Sequence, residues 1–319
     1  MARRILIVDG MNIFIRSFVC VPTTDTDGNS IGGVTGFLRS LKMLVKDWSP
    51  DRIIVAWDGA GGSRMRRGIF SEYKAGRKVR LNRPQELETQ DESFANMGEQ
   101  MEKLKKLLDL IGVIQIVTPE VEADDVIALL CKYVYLDEPK LVVTSDKDML
   151  QLIDDKTVVY SPTKKQYWTK QFMLDETHVL PENFVFVKAL MGDGSDNIPG
   201  VGGIGTKTAI KLFPFLGERE TTAEEILQHA TTNSGVGSKY KSLLESKERF
   251  LENIRLMQLS NPIIDAGSTR TIRISALDQK PKFNFTSFKM SLAMLGIQQI
   301  DVDFIGVFQL YQHRADNNP

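Results

Sequence analysis

Cysteine is nearly absent: only Cys20 and Cys131 occur in 319 residues, each beside apolar neighbours. Two such residues exclude a disulfide framework and a cysteine-built zinc site, and they predict buried free thiols in a reducing compartment. Long apolar runs are missing too. Ile5-Leu6-Ile7-Val8 is too short for a signal peptide and is interrupted by Asp9, and no window approaches transmembrane length. These absences predict a cytoplasmic protein with no membrane partner. Charge of one sign is also lacking, with 40 Lys+Arg against 41 Asp+Glu and a net charge of −1. The average composition therefore implies no polyanion partner, although averages hide patches. There is no long internal repeat and no low-complexity tract. The remaining composition, 42% apolar and 25% charged, is that of a soluble chain large enough for one large or two modest domains.

What the chain does contain is acid in clusters. Glu122, Asp124 and Asp125 crowd into four residues at the head of an otherwise apolar helix, Val121–Leu130. A helix start tolerates acids because its free N–H groups and dipole favour negative charge, and one acid would be an ordinary cap. Three exceed capping, and two further motifs follow: Ser145-Asp146-Lys147-Asp148 and Asp193-Gly194-Ser195-Asp196. Clustered carboxylates raise one another's pKa unless cations neutralise them, and oxygen donors of this kind suit Mg²⁺ or Mn²⁺. The pattern predicts a carboxylate-built metal site.

Short β-branched runs at residues 4–8, 53–57, 113–117 and 141–144 read as buried strands, alternating with helical patterns at 11–19, 36–48, 97–111 and 123–134. A short hairpin is predicted over 157–160 and 166–168, and helices over 181–191, 221–230 and 239–259. Alternation of this kind predicts an α/β fold with an open, mostly parallel sheet, whose ligands gather beyond the carboxyl ends of the strands. Asp9, Asp58 and Asp146 each follow such a strand. A single Asp there is ordinarily a turn residue; three, together with the acid-rich motifs, converge on one edge. The tail from 262 to 319 is the least informative part, with one amphipathic patch at 288–297 and an end expected to be disordered.

Between Arg64 and Arg83 lie eight cations, Arg64, Arg66, Arg67, Lys74, Arg77, Lys78, Arg80 and Arg83, against the single acid Glu72. This is either a solvated charged surface or a contact for a polyanion. Gly200-Val201-Gly202-Gly203-Ile204-Gly205 matches the dinucleotide fingerprint in form only, because a helix and Asp-Asn-Ile-Pro precede it where a strand is required. A tight turn between two helices fits better. It is either a structural corner or a phosphate grip that uses free N–H groups with Lys207 and Lys211 beside them.

Six pieces in order, Val8-Asp9-Gly10, Trp57-Asp58, Tyr73-Lys74-Ala75-Gly76-Arg77, Glu122-Ala123-Asp124-Asp125, Thr144-Ser145-Asp146-Lys147-Asp148 and Gly192-Asp193 through Ala209, resemble the 5′-nuclease superfamily of flap endonucleases and 5′→3′ exonucleases, nearest its bacterial and phage branch. The resemblance covers roughly Ile5 to Leu259, with Trp57 where the family usually has Phe and Gly61-Gly62 in place of bulkier residues. It implies a PIN/resolvase-like α/β catalytic domain over 1–168, a helical arch at about 62–95, a helix–hairpin–helix (H3TH) region over 169–260 and an extension over 261–319. It implies that Asp9, Asp58, Glu122, Asp124 and Asp146 surround one Mg²⁺, and that Asp125, Asp148, Asp193 and Asp196 complete the site around a second, with Mn²⁺ as a substitute. Lys74 and Arg77 become the residues on the scissile phosphate. Arg64, Arg66, Arg67, Tyr73 and Lys78 of the arch join Gly200, Gly202, Gly203, Gly205, Lys207 and Lys211 of the hairpin in binding DNA, and the backbone of Val201 and Ile204 becomes a K⁺ site.

The activity so implied is structure-specific hydrolysis of DNA at 5′ ends, flaps or nicks, extending to RNA primers in RNA–DNA hybrids, by a two-metal mechanism. The enzyme is expected to be a free-standing monomer near replication proteins, in the cytoplasm or, if phage-encoded, a host's cytoplasm. Two other classes share parts of the pattern: a PIN-type metal-dependent ribonuclease, and a catalytically silent DNA-binding module. The hairpin and long basic segment stand against the first, and nine clustered acids against the second.

Overall fold

The computed structural model describes residues 2–76, 90–298, 300 and 303–318. In chain order the first half is β1 (Ile5–Asp9), α1 (Gly10–Cys20), α2 (Gly32–Trp48), β2 (Arg52–Trp57), α3 (Arg64–Ile69), α4 (Gln90–Asp109), β3 (Ile114–Val117), α5 (Ala123–Leu129) with a π-helical turn to Val134, β4 (Lys140–Val143), β5 (Thr157–Ser161) and β6 (Gln166–Trp168). The strands form one sheet in the order β3-β2-β1-β4-β5-β6. The first five pair in parallel, and β6 turns back antiparallel on β5. Continuous apolar runs suit such strands because both faces are covered. Ile5, Ile7, Ile54 and Val142 face one core, while Leu6, Val8, Ile53 and Val143 face the other, as a period of two dictates.

Strand order reverses between β1 and β4, where one branch of the chain runs outward through β2 and β3 and the other through β5. Val8 lies opposite Val143, so Asp9 and Thr144 leave the sheet side by side at its carboxyl edge. That switch point is where a crevice opens in a parallel sheet.

The second half is helical: α6 (Lys170–Thr177), α7 (Phe184–Met191), a small ribbon β7 (Gly192–Asp193) and β8 (Ile198–Pro199), then α8 (Thr206–Leu212), α9 (Ala223–Thr232), α10 (Ser238–Glu245), α11 (Lys247–Met257), α12 (Ala266–Asp278), α13 (Phe285–Met294) and α14 (Asp303–Asn317). The single helix expected over 239–259 is two, broken at Ser246, which leaves α-helical geometry with φ −105 and ψ 21.

Two expectations fail. Cys20 is exposed, at the last position of α1 where the chain turns outward, and only Cys131 is buried. Near the chain end, where disorder was expected, Asp303–Asn317 form a helix. Phe288, Phe304, Phe308 and Tyr311 stack along α13 and α14 in the core beside α2 and β1. Tyr311 also ties the far end of the sheet, donating to Gly112 O (2.9 Å) and accepting from Ile53 N (3.2 Å). Its spacing had the apolar stripe of a helix all along; what hid it was the polar run that follows.

Because Phe308 is wholly buried, Phe308→Ala should cost about 3–5 kcal/mol in urea unfolding. A loss under about 1 kcal/mol would mean that α14 is not part of the core.

Candidate metal centre and nucleic-acid interface

The acids arrive from separate elements. Asp9 ends β1 and caps α1, its Oδ1 accepting from Asn12 N at 3.1 Å and its Oδ2 from Thr144 Oγ1 at 2.8 Å. Asp58 follows β2 and accepts from Ala123 N at 2.8 Å, which ties the end of β2 to the start of α5. Asp124 sits in the first turn of α5. Asp146 follows β4, with its N–H donated to Thr144 Oγ1 (3.1 Å) and its Oδ1 accepting from Asp148 N (2.8 Å).

These four share one electrostatic environment. Burial, then the fields of Asp58 and Asp146, push the Asp9 carboxyl up to about 7. Burial, then Asp146, Asp9 and Glu122, hold Asp124 well above the carboxylate range. No Lys or Arg among the described residues forms an ion pair with Asp9, Asp58, Asp124 or Asp146. A set of hard oxygen donors that penalises its own ionisation is what a divalent cation stabilises, so the residues fit Mg²⁺ or Mn²⁺ by charge and donor type. Among the described residues, no three His, Cys, Asp or Glu side chains are yet drawn together closely enough to hold an ion.

The other five acids are answered by cations or by a phenol. Arg66 is buried, and reaches Asp125 Oδ2 at 2.5 Å, Asp125 Oδ1 at 3.0 Å, Glu122 Oε2 at 2.9 Å and the carbonyl of Leu256 at 2.9 Å. Asp125 Oδ1 also accepts from Ile263 N at 2.9 Å. Glu122 Oε2 further accepts from Tyr73 OH (3.1 Å), and Oε1 from Lys74 Nζ (2.8 Å). Burial would raise the Glu122 carboxyl, but Arg66 and Lys74 hold it below the ordinary range. Asp196 Oδ2 accepts from the same Tyr73 hydroxyl at 3.3 Å. Lys188 of α7 lies 2.8 Å from Asp148 Oδ1 and 2.6 Å from Asp193 Oδ2. Its charge divides unevenly: burial and Asp146 push Asp148 up to about 6, whereas Lys188 and Ser195 overcome burial to bring Asp193 down to about 2.

Three placements correct the reading from sequence. Arg66 is not an exposed arch residue but a buried clamp, because two carboxylates and a carbonyl take the place of its water. Both oxygens of Asp125 are taken up by Arg66 and Ile263 N, and it shares Arg66 Nη1 with Glu122. Tyr73 is buried with its hydroxyl on Glu122, so its ring presents no open face. Arg64 and Arg67 are exposed, Arg64 paired with Glu120 and Arg67 donating to Tyr73 O at 3.2 Å. Arg77, Lys78, Arg80 and Arg83 lie outside the described residues.

In the glycine turn, Gly202, Gly203, Gly205, Lys207 and Lys211 are exposed, while the side chains of Val201 and Ile204 are buried. A Cβ on Gly200 would stand 2.2 Å from Met191 O, so this glycine serves close chain packing. Gly203 has φ +72, which a side chain rarely adopts. Val201 O accepts from Ile204 N at 3.1 Å. Asn253 braces the turn, donating from Nδ2 to Ala189 O and Pro199 O, both at 2.9 Å.

Several residues of the site escaped the sequence reading. Thr144 joins Asp9 to Asp146; Asn12 Oδ1 accepts from Ser145 N at 2.9 Å; Lys188 bridges two acids; and the Lys239 ammonium lies directly over Gly203. Their only signal was adjacency, in Thr144-Ser145-Asp146 and in Gly237-Ser238-Lys239 after a helix.

Comparison with known proteins agrees with this architecture. The family model "5′-3′ exonuclease, N-terminal resolvase-like domain" matches residues 4–180, and "5′-3′ exonuclease, C-terminal SAM fold" matches residues 179–280. A 5′-3′ exonuclease of Bacillus subtilis (strain 168) is 35% identical over 219 residues, 66% of this chain and 69% of that protein. DNA polymerase I of the same organism is 35% identical over 282 residues, 86% of this chain but 29% of that protein, so the chain spans under a third of this relative's length. The bacteriophage T5 D15 flap endonuclease, solved as a D155K pseudo-enzyme-product complex with DNA and metal ions, superposes with a TM-score of 0.68 at 22% identity, over 93% of this chain and 100% of that one. At that identity the likeness is one of fold.

Arg66→Met would leave Asp125 charged and buried without its partner, and should destabilise the protein by about 3–5 kcal/mol in thermal or urea unfolding. Adding Asp125→Asn should recover part of the loss. A single-variant loss under about 1 kcal/mol would show that the clamp is not structural.

Proposed function

The chain belongs to the 5′-3′ exonuclease family, and on that premise we propose that it hydrolyses DNA phosphodiesters at 5′ ends, flaps or nicks with two divalent ions. Mg²⁺ suits the donor set, and Mn²⁺ can substitute. The observation that carries this reading is that Asp9, Asp58, Asp124 and Asp146 act on one another's charge at the strand-order switch, where burial and then Asp58 and Asp146 push Asp9 up to about 7. The bound ions would supply an activated water and stabilise the departing oxygen. Glu122 and Asp148 border the same acids and would complete their ligation with Asp193 and Asp196.

The chain's own residues bind and orient the strand. Lys74, largely buried yet reaching the acid rim at Glu122, would set its ammonium against the scissile phosphate, with Arg77 beside it. Arg64 and Arg67 at the foot of the basic segment, Lys78 within it, and Lys207, Lys211 and Lys239 at the glycine turn would hold phosphates. Contacts of this kind read no base, so recognition depends on structure and weakens with salt. The carbonyls of Val201 and Ile204 are the candidates for a K⁺ at the turn. RNA–DNA hybrids as substrates, replication proteins as partners, a monomeric state and a cytoplasmic setting belong to the same reading. So does the division into a catalytic part (1–168), a helical DNA-binding part (169–260) and an extension. Among the described residues, no helix is long and apolar enough to cross a membrane.

Asp146→Asn should abolish Mg²⁺-dependent cleavage of a 5′-flap DNA while leaving its binding affinity within a few-fold; full activity would remove Asp146 from the site. An RNA hairpin cleaved in preference to the matched flap would favour the ribonuclease reading instead. Lys74→Ala should lower the single-turnover rate by about 10²–10³ while binding changes little, and an unchanged rate would refute its role on the phosphate.

A further inference from the structure

Two lysines neutralise acids around the pocket, and they are held very differently. Lys188 has two carboxylate partners, at 2.8 and 2.6 Å, and its side chain is 9% exposed. Among the described residues, Lys74 ion-pairs with one carboxylate, Glu122, at 2.8 Å, and its side chain is 20% exposed. The backbone beneath Lys74 is pinned. Its N–H donates to Asp196 O at 2.9 Å, Glu72 O two residues earlier accepts from Asn197 Nδ2 at 3.0 Å, and Tyr73 between them is buried. Lys74 itself sits at φ +54, a conformation held by these neighbours. Its pivot is therefore fixed, and only the flexible four-carbon stem can carry the ammonium elsewhere.

The two oxygens of Glu122 are just as unequal. Oε2 receives both Arg66 Nη1 (2.9 Å) and Tyr73 OH (3.1 Å), from buried residues. Oε1 receives Lys74 Nζ (2.8 Å). An ion arriving among Asp9, Asp124 and Asp146 can therefore take Glu122 at Oε1, the oxygen that Lys74 covers. A divalent cation and an ammonium repel at such a distance, so one excludes the other.

We infer that Lys74 is an exchangeable resident cation of the acid pocket, displaced from Glu122 Oε1 when a divalent ion binds and thereby released to the substrate phosphate. This rests on the metal pocket proposed above. Lys74 stays protonated throughout, and no covalent bond changes. The exchange would make metal loading the event that frees the phosphate-binding lysine.

The test is Mn²⁺ binding to the full chain without DNA, read from the electron paramagnetic resonance signal of free Mn²⁺ at constant ionic strength. Lys74→Met keeps the stem and removes the competing charge, so it should bind the first Mn²⁺ on the order of tenfold more tightly than wild type, with Lys74→Arg close to wild type. Equal or weaker binding by Lys74→Met overturns the inference. Asp146→Asn separates the two ways of failing. If it weakens Mn²⁺ binding while Lys74→Met changes nothing, the exchange alone is wrong; if wild type and Asp146→Asn bind alike, the metal pocket is wrong and the exchange falls with it. In wild type carrying ¹³C-methylated lysines, the Lys74 resonance should move as Mg²⁺ saturates the site, and a stationary resonance under saturating metal also overturns the inference.

Discussion

Like charges held together in a partly dry crevice are the constraint to which most of this structure responds. Parallel pairing of β1 with β2 and β4 forces Asp9, Asp58 and Asp146 to leave the sheet at one edge, and α5 adds Asp124 and Glu122 from above. The fold does not relax this repulsion by moving Asp9, Asp58 or Asp146, because a backbone or hydroxyl donor tethers each of the three. Asn12 and Thr144 hold Asp9, the Ala123 N–H holds Asp58, and Thr144 and the Asp148 N–H hold the Asp146 turn. Such preorganisation costs stability, and it becomes favourable only when positive charge enters the crevice.

Around that crevice the protein divides its acids by how they are neutralised. Asp125 is spent on Arg66, which also reaches Glu122 and the end of α11, so one guanidinium joins the foot of the basic segment, the acid-headed helix and the end of α11. Asp148 and Asp193 share Lys188. Among the described residues, the group left without an internal cation is Asp9, Asp58, Asp124 and Asp146, with Glu122 Oε1 covered only by a lysine. A permanent counter-ion stabilises a fold, whereas an unfilled or exchangeable one leaves binding energy for a ligand.

The far side of the molecule carries the opposite burden. The amino ends of the strands need covering, and the extension supplies the cover. Tyr311 bonds Gly112 O and Ile53 N, Phe283 lies against Gly112, Arg314 donates to Pro50 O at 3.0 Å, and Arg52 caps the end of α12 at Ala276 O. These contacts hold the register of β1 and β2 from below, and so hold Asp9 and Asp58 in place above. Phe288, Phe304, Phe308 and Tyr311 lie beyond both family matches yet contribute to the same core.

The strands, the acid-ended edge and the tight glycine turn were legible because each is written in local pattern: β-branched runs, an Asp after a strand, glycines between helices. Asp9, Asp58, Asp124 and Asp146 needed only the rule that parallel strands present one edge. Partner choice was not legible. Nothing near Arg66 in sequence distinguishes it from Arg64 or Arg67, yet it is buried on Asp125 while they face water. Nor does position announce that Asp125 and Asp124, adjacent on α5, point to different partners, that Lys188 bridges two acids, or that Phe304, Phe308 and Tyr311 fold back under the sheet. The sequence by itself determined the elements and the side from which the acids emerge, because both follow from periodicity and chain direction. Only the tertiary structure decided which acids meet a cation inside the protein and which are left facing one another, because that depends on distances between residues far apart along the chain.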